Sequence, residues 1–292
     1  MRLGFIGYGE AAYEMSCGLK QEGLDNMIAY NHSNHALVQS RAKEAQVELL
    51  DSAKDVLERA NVIIVSVPAD KALEASETLM RHLKRGQLYI DVSASSPNVK
   101  KAIWGNIQSK DVLFVDAQMM GPLLLYKHKV PIVASGSGTD LLVHLMKVYG
   151  MNIKKVGEDP GDASAIKLIR SIYMKGISVL FIELLEAAQA LKVEELVLSS
   201  IRETMESWDF EKVLNRLVTG ACIHAQRRAV ELEGSIGILK DLEIDCLMSE
   251  AVRDKLLSLS RYQLKDRFPG GAPKDWWEAL IALQEVKRER NE

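Results

Sequence analysis

Cysteine is scarce in this chain of 292 residues: three, at positions 17, 222 and 246, odd in number and scattered. Such a set builds neither a disulfide framework nor a cysteine-based metal site, so no metal is expected. It suits a reducing compartment, and a cytoplasmic location follows as an expectation. Cys17 and Cys222 fall in apolar helical patterns and read as core thiols. An excess of charge of one sign is missing too. Lys and Arg number 37 against 40 Asp and Glu, a net charge of −3 with no block of like charge. Neither a nucleic acid nor a charged membrane surface is an expected partner. No apolar run is long enough to span a bilayer, since the most apolar helical stretch, 177–191, is interrupted by Glu183 and Glu186. A strand pattern begins with the first residues, so no signal peptide is expected ahead of it. Internal repeats and low-complexity segments are absent, and the length suggests about two domains.

What is present begins at the N-terminus. Residues 1–6 read as a short apolar strand, followed at once by Gly7-Tyr8-Gly9-Glu10-Ala11-Ala12 and a helical pattern to about Gln21. The spacing G-x-G-x-x-A has a mechanism. Gly7 permits the tight turn from strand to helix, Gly9 lets a pyrophosphate approach the backbone, and Ala12 allows helix to pack closely on strand. Glu10, Ala11 and Ala12 open the helix, whose free N–H groups and positive dipole end favour phosphates. Between a strand and a helix, this pattern points to a dinucleotide site.

The first half alternates β-branched runs with helical patterns. Strands are expected at 2–6, 27–31, 62–67, 87–92, 112–117, 130–134 and 152–155, with a further short one at 47–50. Alternation of this kind predicts an α/β Rossmann domain with a mostly parallel, doubly wound sheet, over residues 1–157. The run 61–68 is apolar on both faces, as a central strand should be, and its end at Val67 and Pro68 points a loop toward the ligand edge. After Asp159-Pro160-Gly161-Asp162 strand-type alternation disappears, so an all-α domain is expected over 158–292. Within it, 165–191 reads as one long helix with apolar residues nearly all round, hence buried at a domain centre or in a dimer core. Further helices are expected at 193–207, 210–217, 222–239, 249–263 and 276–288.

In such a fold the end of the second strand meets the adenine ribose, where an acidic residue selects NAD. Here the segment is Tyr30-Asn31-His32-Ser33-Asn34, with no acid. A 2′-phosphate meets no repulsion, and His32, Ser33 and Asn34 offer hydrogen-bond donors, so NADP is favoured over NAD, although the turn holds no arginine. A helix start at Ser33 or Asn34 accounts for the same residues without a ligand.

The chain resembles the β-hydroxyacid dehydrogenase and 6-phosphogluconate dehydrogenase superfamily over essentially its whole length. The matching features are the Gly7–Ala12 turn, Asn31, Pro68 and Asp91-Val92-Ser93-Ala94-Ser95-Ser96-Pro97. The last is similar to the family's substrate-binding D-x-S-T-x-x-P, with Ala94 in place of threonine. Asp116-Ala117-Gln118-Met119-Met120-Gly121-Pro122 stands where the family carries D-A-P-V-S-G-G, and keeps only Gly121 of the glycine pair. Lys167 resembles the catalytic lysine, followed at the fourth position by Ser171 instead of the family's asparagine. These departures, with the segments at 127–131, 170–176 and 224–228, resemble a poorly characterised subgroup of phosphogluconate-dehydrogenase-like NAD(P)-dependent oxidoreductases. The resemblance implies a homodimer, hydride transfer between nicotinamide and a small 3-hydroxy acid or oxo acid, and substrate contacts at Ser93, Ala94 and Gly121.

Residue chemistry agrees with that implication. Hydride transfer asks of the protein positioning and one acid–base group. A lysine buried near the nicotinamide can serve, because desolvation lowers its pKa. Lys167 lies on the first turns of the long helix, just after the domain boundary, and Ser171 is one turn further on the same face. A snorkelling surface lysine is the plainer alternative for Lys167, and Lys175 is a rival. Ser95 and Ser96 before Pro97 read as a helix cap or as an anion site. His224, Arg227, Arg228 and Glu231 form a polar stripe, either an anion clamp for a substrate carboxylate or phosphate, drawn chiefly from His224 and Arg227, or a solvated face with an ion pair to Glu231. Two other functions remain open: an imine or enamine reductase, whose nitrogen substrate could tolerate Ser171, and a non-catalytic dinucleotide sensor with no use for Lys167.

Overall fold

A computed structural model describes residues 1–33 and 35–290, so Asn34 lies outside the described residues. The chain divides into two compact units, Met1–Ile172 and Tyr173–Glu292.

The first unit runs β1 (Leu3–Ile6), α1 (Glu10–Gln21), β2 (Met27–Tyr30), α2 (Ala36–Glu44), β3 (Glu48–Leu49), α3 (Ala53–Arg59), β4 (Val62–Val65) and α4 (Ala72–Leu79). It continues with β5 (Leu88–Asp91), α5 (Pro97–Ile107), β6 (Leu113–Met119), α6 (Leu123–Tyr126), β7 (Ile132–Ser135), α7 (Thr139–Lys147), β8 (Ile153–Gly157) and the start of α8 (Asp162–Leu191). The sheet has the order β3-β2-β1-β4-β5-β6-β7-β8. All neighbouring pairs are parallel except β6 with β7. This is the expected mostly parallel, doubly wound sheet.

Alternation along the central strands feeds two cores. Leu3, Phe5, Val62, Ile64, Leu88, Ile90, Val115 and Ala117 face one side, under α1, with Tyr8, Met15 and Leu19. Ile6, Ile63, Val65, Tyr89 and Phe114 face the other, under α3 to α5, with Leu57, Ile103 and Ile107. Both faces being covered explains why these strands read as unbroken apolar runs. Each such side chain contributes about 1.5–3 kcal/mol by leaving water.

Several elements differ from the sequence expectation. The strand expected to stop at 117 runs on to Met119, because Gln118 and Met119 pair with Val133 and Ile132 of the antiparallel β7. Helix α2 starts at Ala36 with His35 before it, so Ser33 is not its cap. The helix expected at 210–217 extends to Ile223, and the next begins at Ala225, leaving His224 between them.

The second unit holds the rest of α8 with α9 (Glu194–Glu206), α10 (Phe210–Ile223), α11 (Ala225–Asp241), α12 (Leu247–Ser260) and α13 (Trp276–Glu289). Cys222, Leu264, Ala279, Ala282 and Val286 join α10 to α13. Ile236, Leu239 and Cys246, with Ala187, join α8, α11 and α12. Glu183 is buried on α8, and its carboxylate accepts the N–H groups of Met248 (2.5 Å) and Ser249 (3.0 Å) and the Ser249 hydroxyl (2.8 Å). A residue far away in sequence thus caps α12. The apolar stripe of α8 is not covered within the unit: Ile182 is 56% exposed and Leu185 40%. Among the described residues of this unit the stripe is therefore not enclosed, in contrast to burial at a domain centre, one of the two expectations for this helix. Among the described residues no helix is long and apolar enough to cross a membrane, and no cluster of three His, Cys, Asp or Glu is placed to hold a metal.

Candidate active site

The carboxyl ends of parallel strands β1, β4, β5 and β6 lie side by side, and the loops leaving them carry most of the expected site. At the end of β1 the turn is shaped by Gly7, whose φ is +84°. A Cβ there would stand 2.3 Å from the Ser66 carbonyl oxygen, so the chain itself requires glycine. Gly9 differs. Its φ is −80°, and a Cβ there would meet nothing within 4 Å. Nothing in the protein's own packing calls for glycine at 9. The open space above it, at the start of α1, has the position of a pyrophosphate. Gly9 gives α1 no side-chain cap, and the N–H groups of Glu10 and Ala11 find no acceptor among the described residues. The turn therefore fits the diphosphate of a dinucleotide.

Asn31 ties the two adjoining loops together. Its Oδ1 accepts the Tyr8 N–H at 2.8 Å, and its Nδ2 donates to the Ser33 carbonyl at 2.7 Å. His32 and Ser33 are exposed beyond it, Val67 is partly buried and Pro68 exposed at the end of β4.

Beside this turn lies a buried polar array that sequence reasoning missed. Asp91 and Asp116 are register partners on β5 and β6, both fully buried. Like charges side by side on a sheet repel. Lys100 of α5, also fully buried, stands between them, its Nζ 3.1 Å from Asp91 Oδ1 and 3.4 Å from Asp116 Oδ1. It also donates to the Ser93 carbonyl (2.8 Å) and the Ser93 hydroxyl (3.2 Å). Gln118 donates to the Ser93 carbonyl (2.9 Å) and to Asp116 Oδ1 (2.7 Å). A signal for Lys100 was legible: it lies on the helix stripe of buried Ile103 and Ile107.

The array fixes Ser93. Ser95 Oγ donates to the Ala69 carbonyl at 3.1 Å, so the Ser93 hydroxyl, 2.7 Å away, donates to Ser95. With Lys100 donating to it, the Ser93 hydroxyl is engaged on both sides. What its loop presents outward is the exposed Ala94, whose N–H has no acceptor among the described residues. Ser96 caps α5 through the Val99 N–H at 3.4 Å, with Pro97 at the first helical position. Gly121 is partly buried, near Tyr126, Val130 and Pro131.

The array also positions the start of α8. Asp116 accepts the Ser164 N–H (2.8 Å) and hydroxyl (2.9 Å), and Ser135 accepts the Ala163 N–H at 3.2 Å. These partners let α8 begin at Asp162, ahead of the expected start. Lys167 follows Ser164 by three residues and so rises on the same helix face. It is half-buried. Burial pushes its amine below the usual lysine range, the Lys100 ammonium and Arg170 push in the same direction, and Asp116 opposes them. Ser171 is half-buried, and its hydroxyl has no hydrogen-bond partner among the described residues. Lys175 is exposed. His224 and Arg227 belong to the second unit, where Arg227 lies 3.7 Å from Glu231 on an exposed face and Arg228 turns toward the Leu217 carbonyl.

Comparison with known proteins accords with this geometry. Residues 2–141 match the NAD binding domain of 6-phosphogluconate dehydrogenase, and residues 188–258 match a domain of unknown function, DUF1932. Human mitochondrial 3-hydroxyisobutyrate dehydrogenase is 28% identical over 123 residues, 41% of this chain and 36% of that enzyme. An imine reductase from Myxococcus stipitatus, solved with NAD+, shares the fold at 17% identity, with a TM-score of 0.75 over 97% of this chain and 98% of that one. The conserved protein MTH1747, of unknown function and described as structurally similar to 3-hydroxyacid dehydrogenases, is 33% identical. That match covers 89% of this chain and 97% of its own, with a TM-score of 0.59. With its glycine turn, its sheet and this relative, the chain belongs to the family of 6-phosphogluconate dehydrogenase-like and 3-hydroxyacid dehydrogenase-like proteins.

Proposed function

We propose that this protein is an NAD(P)-dependent oxidoreductase that interconverts a small anionic 3-hydroxy acid and its oxo acid, with Lys167 as the acid–base group. One observation carries the reading: a half-buried lysine one turn beyond Ser164, which Asp116 holds at the same sheet edge as an open glycine turn. Gly7, Gly9 and Ala12 would frame the pyrophosphate of a bound dinucleotide, with the Glu10 and Ala11 N–H groups available to hold it. Asn31 holds the ribose-side loop, and the absence of an acid at residues 31–33 favours NADP over NAD. When bound, the nicotinamide accepts or returns the hydride. In oxidation the neutral Lys167 amine takes the substrate hydroxyl proton; in reduction the ammonium returns it to the carbonyl oxygen. Ser171, one turn on, accepts a hydrogen bond from Lys167 or donates one to the reacting oxygen. The Ala94 N–H and the backbone at Gly121 receive the substrate's anionic group, with the Ser93 hydroxyl shaping the loop. No part is assigned to His224 and Arg227.

A test needs two variants. Wild type should bind NADPH and show its fluorescence change, Gly9→Asp should bind NADPH and NADH far more weakly, and Lys167→Ala should bind NADPH while its turnover of 3-hydroxy and 3-oxo acids falls about 10²–10⁴-fold. Cofactor binding without turnover on any such acid, in a chain that turns over cyclic imines, would replace this reading with imine reduction, whose nitrogen substrate could tolerate Ser171 in place of asparagine. Binding with no turnover of either class would leave a dinucleotide sensor.

The exposed apolar stripe of α8 supports a homodimer. Light scattering at micromolar concentration should give twice the chain mass, and Ile182→Glu should give the mass of one chain.

A further inference from the structure

Lys100 has no part in the chemistry proposed above, yet it is the most costly residue to place in this fold. A fully buried ammonium needs compensation. Here it has two carboxylates, at 3.1 and 3.4 Å, and two oxygens of Ser93. Each partner faces the same edge of the sheet, and Asp116 in turn holds Ser164, one turn before Lys167. The charges acting on the Lys167 amine come from two elements besides its own region of α8. They are Asp116 on β6 and Lys100 on α5, with Arg170 on α8 itself, while Asp91 on β5 is paired to Lys100. Asp91 Oδ2 and Gln118 Oε1 add buried acceptors with no partner among the described residues. Without Lys100, the charges of Asp91 and Asp116 would be uncompensated and would favour the ammonium form of Lys167. With Lys100, one carboxylate charge is offset from beneath.

We propose that Lys100 is a positioning residue: pinned by Ser93 and balancing Asp91 and Asp116, it keeps Lys167 from becoming their ion-pair partner and so leaves its amine free to exchange a proton. The direction of the Lys167 shift, in which Lys100 is the largest charge contribution after burial, agrees with this geometry. The proposal rests on the reading of Lys167 as the acid–base group, and its test is independent of turnover.

The experiment is competitive acetylation of the full chain with acetic anhydride across pH, with Lys167 followed by peptide mass spectrometry against the exposed Lys43. Only the neutral amine reacts. Lys100→Met removes the balancing charge, so at a pH below the Lys167 midpoint its labelling should fall about tenfold relative to Lys43. Asp116→Asn removes the opposing charge, and labelling should rise by a similar factor. The double variant Lys100→Met, Asp116→Asn has the net charge of the wild-type array, so its labelling should return close to wild type. If Lys100→Met leaves too much buried negative charge to fold, the comparison of Asp116→Asn with the double variant carries the test by itself. Labelling of Lys167 that is the same with and without Lys100 in these pairs overturns the proposal. A full labelling response together with undiminished turnover in Lys167→Ala upholds the charge balance and overturns only the acid–base reading.

Discussion

Gly7 and Gly9 stand two residues apart in one turn, and substitution should affect them in opposite ways. At Gly7 a Cβ meets the Ser66 carbonyl oxygen at 2.3 Å and the Ser66 carbonyl carbon at 2.9 Å, on a backbone with φ of +84°. The left-handed conformation alone costs an L-residue about 1–2 kcal/mol. Relieving a contact with backbone that is itself part of the β4 end adds about 1–3 kcal/mol. Gly7→Ala should therefore destabilise the first unit by about 3 kcal/mol and lower its melting temperature by roughly 6–12 °C. At Gly9 a Cβ meets nothing within 4 Å, and φ is −80°, open to any residue. Asp is a better helix cap than Gly, and its charge suits the helix N-terminus, so Gly9→Asp should leave stability unchanged or raise it by about 0.5 kcal/mol. The same carboxylate would occupy the space of the pyrophosphate. Two like charges about 4 Å apart near a protein surface repel by about 4 kcal/mol, which weakens binding by roughly a thousandfold. Thermal unfolding and NADPH fluorescence titration on both variants read the two effects separately. A Gly9→Asp variant that unfolds as early as Gly7→Ala, or that binds NADPH like wild type, would refute the assignment of the open space to the cofactor.

Three further outcomes follow from the same geometry. Lys167→Ala should lower turnover by about 10²–10⁴-fold while NADPH binding persists; in wild type, oxidation should rise with pH as Lys167 loses its proton, at a pH below the ordinary lysine range, and reduction should fall over the same interval. Glu183→Gln should destabilise the second unit by about 2–3 kcal/mol, because the amide loses an acceptor and sets its NH₂ against the Met248 or Ser249 N–H; hydrogen exchange at the start of α12 reports it. His128 donates from Nε2 to the Tyr149 carbonyl at 2.9 Å, while its buried Nδ1 has no partner among the described residues. Burial pushes its pKa below the usual 6.5, the Tyr149 bond opposing and Lys129 assisting. The unfolded chain then takes up the proton first, so this contribution to stability is whole above pH 6.5 and is lost as pH falls through the lower folded value. Melting temperature should drop between pH 7 and pH 5, and His128→Asn should flatten that drop.

The sequence by itself determined the sheet and the turn. Strands buried on both faces must be apolar throughout, and a phosphate-binding turn must carry small residues at fixed offsets, so both were legible without neighbours. Lys167 stood out as a candidate through its place after the last strand and through family resemblance. Tertiary structure alone decided the rest. Lys100 sits beside Lys101 in a run that reads as a solvated face, and only the helix stripe it shares with Ile103 and Ile107 hints otherwise. That Asp91 and Asp116 become register partners depends on two strands meeting in space. The Ser93 hydroxyl turned inward because Lys100 and Ser95 claimed it, a fact no local pattern encodes. The start of α8 moved to Asp162 because its caps come from β6 and β7. Patterning specifies which residues must leave water; which polar groups then answer one another inside is settled only by the packing that brings them within 3 Å or so of each other.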